Sequence, residues 1–68
     1  MNSQKLKDLR EKNGLTQKEL GELLGVTKSA VQSYEYGHRR PSVPVLRDIA
    51  ELFGVSTDYL LDLEDELV

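Results

Sequence analysis

The chain has 68 residues, with nine Lys or Arg, twelve Asp or Glu, one His and no Cys, and a formal net charge of −3. A chain this short buries only about 60% of its unfolded surface, so residues 1–68 are expected to form one domain of modest stability. The lack of Cys excludes disulfides and Cys-based zinc sites. The charged N-terminus has no signal-peptide core, and no apolar run approaches the roughly 20 residues that span a bilayer, so a soluble cytoplasmic protein without cofactor or metal is expected.

No strand pattern is present. A capping residue, an amphipathic run and a glycine recur along the chain, and Gly14, Gly25, Gly37 and Gly54 fall where helices should stop. The fold class read from this punctuation is all-α, a compact bundle of five helices. The first is expected over about Ser3 to Lys12, with Leu6 and Leu9 inward. Lys7–Glu11 and Asp8–Lys12, four apart, can pair on its surface for a few tenths of a kcal/mol each. The second runs over about Gln17 to Leu24. Thr16 caps it, Glu19 completes a capping box, and Leu15 and Leu20 form a staple. Gly21 lies inside this helix at a cost of up to about 1 kcal/mol relative to Ala, which suits a place where another helix comes close.

A turn at Gly25–Val26 leads to a third helix over about Lys28 to Tyr36, capped by Thr27. Val31 and Tyr34 make its inner face, Ala30 and Glu35 flank it, and Lys28, Ser29, Gln32 and Ser33 point outward. The fourth helix starts at Ser42, carries Pro44 in its first turn and reaches about Phe53. Val45, Leu46, Ile49, Ala50, Leu52 and Phe53 give it a wide apolar face. The fifth starts at Ser56 and passes through Tyr59, Leu60 and Leu61 into the acidic end LEDELV.

Charge is segregated along the chain. Residues 1–40 carry eight Lys or Arg against five Asp or Glu, and residues 41–68 carry one against seven. A polyanion feels the local field, because salt screens the remainder beyond about 8–10 Å.

Two short helices, a glycine turn and a polar outer face match a helix-turn-helix, whose second helix enters the DNA major groove. Gln32 can bond adenine bidentately, Lys28 can reach guanine or a phosphate, and Ser29 and Ser33 let the backbone come close. Ala30 can touch a thymine methyl or be buried. Gln17 stands at a helix N-terminus, a natural anion site. The Tyr36 hydroxyl and the basic loop His38–Arg39–Arg40 complete the candidate phosphate contacts. Lys28, Ser29, Gln32 and Ser33 are each, singly, equally compatible with ordinary surface, whereas a solvated turn is the lesser reading for Arg39–Arg40 and the greater one for His38.

The chain resembles the phage repressor/Cro-type helix-turn-helix family, also called the xenobiotic-response-element family. The resemblance covers about Leu6 to Leu61. It rests on LTQKELxxLLGV, the YExG ending of the third helix, the RPS before the fourth and the IAxxFGVSxDYLL tail. It implies a five-helix domain that binds operator DNA, usually as a dimer on a palindrome. Carried onto this chain, it implies phosphate contact by Gln17, base contact by Lys28, Ser29, Gln32 and Ser33, and an internal ion pair between Arg10 and Glu35. Gly21 replaces the usual Ala. Ser33 stands where a basic or amide side chain is frequent, and Tyr36 where Asn, Arg or Lys is frequent.

The leading expectation is therefore a sequence-specific regulator of the repressor type that binds double-stranded DNA as a homodimer. Its dimer surface is expected in residues 60–68, through Leu61, Leu63, Leu67 and Val68. Leu61 can alternatively join the core. A further protein partner, such as a toxin or an anti-repressor, is left open. The net negative charge favours the alternative, a protein-interaction module that kept the fold and lost DNA. An enzyme is disfavoured, because no nucleophile–base pair and no Gly-rich phosphate loop is present.

Overall fold

The computed structural model describes residues 1–63 as five helices, α1 (Ser3–Lys12), α2 (Gln17–Leu24), α3 (Lys28–Tyr36), α4 (Val43–Phe53) and α5 (Thr57–Leu60). No strand occurs among the described residues, and none of their helices is long and apolar enough to cross a membrane. Leu67 and Val68 lie outside the described residues.

Each helix starts on a side chain that accepts a backbone N–H one turn ahead. Asn2 accepts from Lys5, Thr16 from Glu19, Thr27 from Ala30, Ser42 from Val45 and Ser56 from Tyr59. Such caps are worth about 1 kcal/mol each. The Thr16–Glu19 box is reciprocal, because the Thr16 N–H also donates to Glu19 Oε1 at 2.9 Å. Accepting that bond holds the Glu19 carboxyl below its ordinary pKa.

The nine core side chains come from all five helices: Leu6, Leu20, Leu24, Ala30, Val31, Tyr34, Ile49, Ala50 and Leu60. Fully burying one of the larger ones contributes about 1.5–3 kcal/mol. Leu9, Leu15, Val26, Leu46, Phe53 and Val55 pack around this core, so Leu15 does what its staple spacing with Leu20 predicts, and Val26 and Val55 take the same place before α3 and α5. Ala30 is buried, which places its methyl in the core rather than on the outer face. Leu52 departs from the expected face and stays 40% exposed. The buried stripe of α4 follows positions 45, 46, 49, 50 and 53, and Leu52 falls off it. Asp8 accepts from Gln4 Nε2 at 2.8 Å instead of pairing with Lys12, while Lys7 and Glu11 do approach to 3.9 Å.

Gly25 ends α2 at φ +70°, the left-handed conformation that reverses the chain at little steric cost to glycine. The turn then folds back on its own helix, with the Val26 N–H donating to the Gly21 carbonyl at 2.9 Å. A Cβ at Gly21 would meet the Val26 carbonyl oxygen at 2.8 Å and Thr27 backbone atoms at 3.3 Å. The close approach expected at Gly21 is present, but the neighbour is the turn after α2 and not another helix.

The start of α1 is tied to the end of α5. The Asn2 N–H donates to the Leu60 carbonyl at 2.7 Å, and its side-chain amide donates to Asp62 Oδ2 at 3.0 Å. Lys5 Nζ lies 2.7 Å from Asp62 Oδ1, donates to the Tyr59 carbonyl and sits 4.0 Å from the Tyr59 ring centroid. Asp62 holds φ +59°, a conformation uncommon for residues with a side chain. Bonds from Lys5 first and Asn2 second keep the Asp62 carboxyl below its ordinary pKa. A depressed carboxylate stabilises the fold fully above its unfolded pKa of about 3.9 and loses that contribution as pH falls through the lower folded value. Asp62→Asn is therefore expected to melt below the wild type at neutral pH, and the two melting curves should converge in acid. A Tm difference that stays constant across this range would contradict the assignment.

Candidate nucleic-acid interface

The inner side of α3 is fixed by Ala30, Val31 and Tyr34 in the core, which turns the remaining side chains outward. Lys28 and Ser29 are exposed, whereas Gln32 and Ser33 are half-buried. The polar face is thus continuous, and its two C-terminal members are set more deeply than expected. Gly37 closes α3, and the backbone then folds over its end. The N–H groups of His38 and Arg39 donate to the Ser33 carbonyl at 2.9 and 3.3 Å. These bonds hold the basic loop against the last turn of α3. His38, Arg39 and Arg40 are all exposed. Tyr36 is 70% exposed, with its ring centroid 6.1 Å from that of His38 at a tilt of 44°.

Behind this face lies a charged network. Arg10 Nε donates to Glu35 Oε2 at 2.6 Å and Nη2 donates to Oε1 at 3.1 Å. Its third bond, from Nη1, goes to the Leu15 carbonyl at 2.8 Å. The two side chains are only 12% and 2% exposed. The hydrogen bond to Glu35 outweighs burial and holds the Arg10 proton more tightly than usual. Gln17 Nε2 donates to Glu35 Oε1 at 3.2 Å. One carboxylate on α3 thereby gathers α1, the loop before α2 and the first residue of α2, which fixes the pitch of α3. The Gln17 side chain, expected to face a phosphate, is engaged inward by this bond. The capping box uses the N–H groups of Thr16 and Glu19, which leaves those of Gln17 and Lys18 to meet an anion.

The first turn of α2 opens onto a concavity between α1 and α3. Gln4 and Lys7 of α1, Gln17 and Lys18 of α2, and Lys28 and Tyr36 of α3 line it, together with the Arg10–Glu35 pair. Since Arg10 and Glu35 cancel, the net charge of this lining is positive. The sequence places Lys7 on the solvated face of α1 and gives no separate signal for Gln4 or Lys18. The available signal was the three-residue spacing of Gln4, Lys7 and Arg10, which puts them on one side of α1. Leu61 and Leu63, at 39% exposure each, lie on the surface rather than in the core. Among the described residues, no group of His, Asp or Glu is arranged to hold a metal ion.

Residues 6–60 match the family model described as helix-turn-helix. The HTH-type transcriptional regulator AnsR of Bacillus subtilis (strain 168) is 39% identical over 66 residues, covering 97% of this chain and 57% of the relative. The transcriptional regulator ImmR of the same organism is 39% identical over 61 residues, covering 90% and 48%. The chain therefore spans about half the length of these curated relatives. Among solved structures, the P22 c2 repressor in complex with a synthetic operator superposes with a TM-score of 0.83 at 25% identity, over 88% of this chain and 91% of that one. SinR in complex with DNA gives 0.79 at 34% identity, over 90% and 98%. SinR in complex with SinI gives 0.82 at 33% identity, over 100% and 67%.

Proposed function

This chain belongs to the helix-turn-helix family of the phage repressor/Cro type, and on that premise we propose that it binds double-stranded DNA sequence-specifically and regulates transcription as a cytoplasmic repressor. In this reading α3 enters the major groove, and Lys28, Ser29, Gln32 and Ser33 meet base edges. The N-terminus of α2 at Gln17 and the segment Tyr36–Arg40 meet phosphates on either side. The observation that carries the proposal is the attachment of the basic loop to the Ser33 carbonyl. It couples the phosphate-gripping cations to the helix that offers the base-reading face, so the two act as one rigid reader. The DNA-bound neighbours support the same reading.

Two copies would bind a palindrome with their α3 helices about 34 Å apart, one turn of DNA. The exposed Leu61 and Leu63 are the described part of the proposed dimer surface. The neighbour solved with a protein partner favours a second, compatible role, in which protein binding regulates access to DNA.

Base and phosphate contacts have different signatures. Gln32→Ala is expected to cost about 1–3 kcal/mol at the preferred site and to relax one base position. Arg39→Ala should weaken preferred and scrambled duplexes alike and reduce the salt slope by about one. Equal losses on both duplexes for Gln32→Ala would remove it from the base-reading set.

A further inference from the structure

The concavity beside α3 has one wall that the proposed interface leaves unused. That wall is α1, which adds Gln4 and Lys7 to a lining that also holds Lys18 and Lys28. Lys7 is well exposed, with its side chain 49% accessible. Its nearest acidic neighbour is Glu11, whose Oε1 is 3.9 Å from Lys7 Nζ and 4.0 Å from Arg10 Nη2. Glu11 is itself 56% exposed and is not part of the lining. A phosphate entering the hollow would therefore meet Lys7 with a competing carboxylate already beside it.

We infer that α1 supplies a further DNA-backbone contact through Lys7, with Gln4 beside it, and that Glu11 keeps this contact weak. The inference rests on the reading that the chain binds duplex DNA. Backbone contacts carry no sequence information, and each neutralised phosphate steepens the dependence of log K on log salt by about 0.9. A carboxylate that lowers the strength of one such contact reduces affinity for every duplex. The protein then depends more on its base contacts for its residence on DNA. Glu11 is in this sense an affinity-setting residue: it acts alike on preferred and scrambled duplexes and leaves their ratio unchanged. The exposed Lys7–Glu11 pair is weak in water, so this role costs the fold little.

The test measures binding of the full chain to two duplexes, one enriched from a random pool and one scrambled, across a series of salt concentrations. Lys7→Ala is expected to lower the salt slope by about 0.9 on both duplexes. Lys12→Ala removes an exposed α1 cation that does not line the hollow, and should change the slope by less than half as much. Glu11→Gln should tighten binding to both duplexes by about two- to fivefold. In the Lys7→Ala background that gain should fall by at least half. An unchanged slope for Lys7→Ala, an equal change for Lys12→Ala, or an undiminished Glu11→Gln gain in the double variant would overturn the inference. A wild-type protein that binds no duplex in a salt-dependent manner would instead defeat the underlying DNA-binding reading.

Discussion

Arg10→Ala is expected to destabilise the fold by about 3–5 kcal/mol, the range for removing one partner of a buried ion pair. The Glu35 side chain is 2% exposed, and Arg10 supplies two of the three side-chain bonds that reach its carboxylate. Without Arg10 the charge keeps only Gln17 as a donor, and the Leu15 carbonyl loses its bond from α1. A domain of this size has a total stability near the low end of about 5–15 kcal/mol, so a large fraction of molecules would unfold at 37 °C. Chemical denaturation with circular dichroism checks this. Replacing both partners by apolar residues, Arg10→Met with Glu35→Leu, should recover much of the loss, because no unpaired charge is left buried. A single variant that loses under 1 kcal/mol would mean that water reaches Glu35 and that the network does not hold α3.

Gly21→Val is expected to cost about 3 kcal/mol, at the upper end for overpacking. The added Cβ would fall 2.8 Å from the Val26 carbonyl oxygen, and the neighbouring Thr27 backbone at 3.3 Å leaves no room for branching. That turn is not free to move. The Val26 N–H is bonded to Gly21, and Thr27 caps α3 through the Ala30 N–H at 3.0 Å. Relief of the clash would shift the start of α3 and with it Lys28 and Ser29. Denaturation curves at matched m-values test the energetic part. Stability equal to the wild type would show that the turn yields without cost.

What the sequence disclosed followed the range of the physics. The caps at Thr16, Thr27, Ser42 and Ser56 are settled within four residues, and their signals were legible. The cap at Asn2 was not, since Asn2 is also held by Leu60 and Asp62 at the far end of the chain. At Gly21 the need for space was legible, while the neighbour that fills it depends on how the turn folds. The apolar face of α4 was read too widely, and only the packing excluded Leu52. The Arg10–Glu35 pair, 25 residues apart, was accessible through resemblance to a family rather than through spacing. The role of Gln17 inside that network, and the hollow lined by Lys7, needed three helices to be placed together.

In the proposed function, α3 and its attached basic loop together read a particular DNA sequence. Selection of bound sequences from a pool of random duplexes at one fixed salt concentration tests it most directly. The expected result is enrichment of a single motif made of two inverted half-sites, with centres about one helical turn apart. Recovery of sequences no different from the starting pool would contradict it.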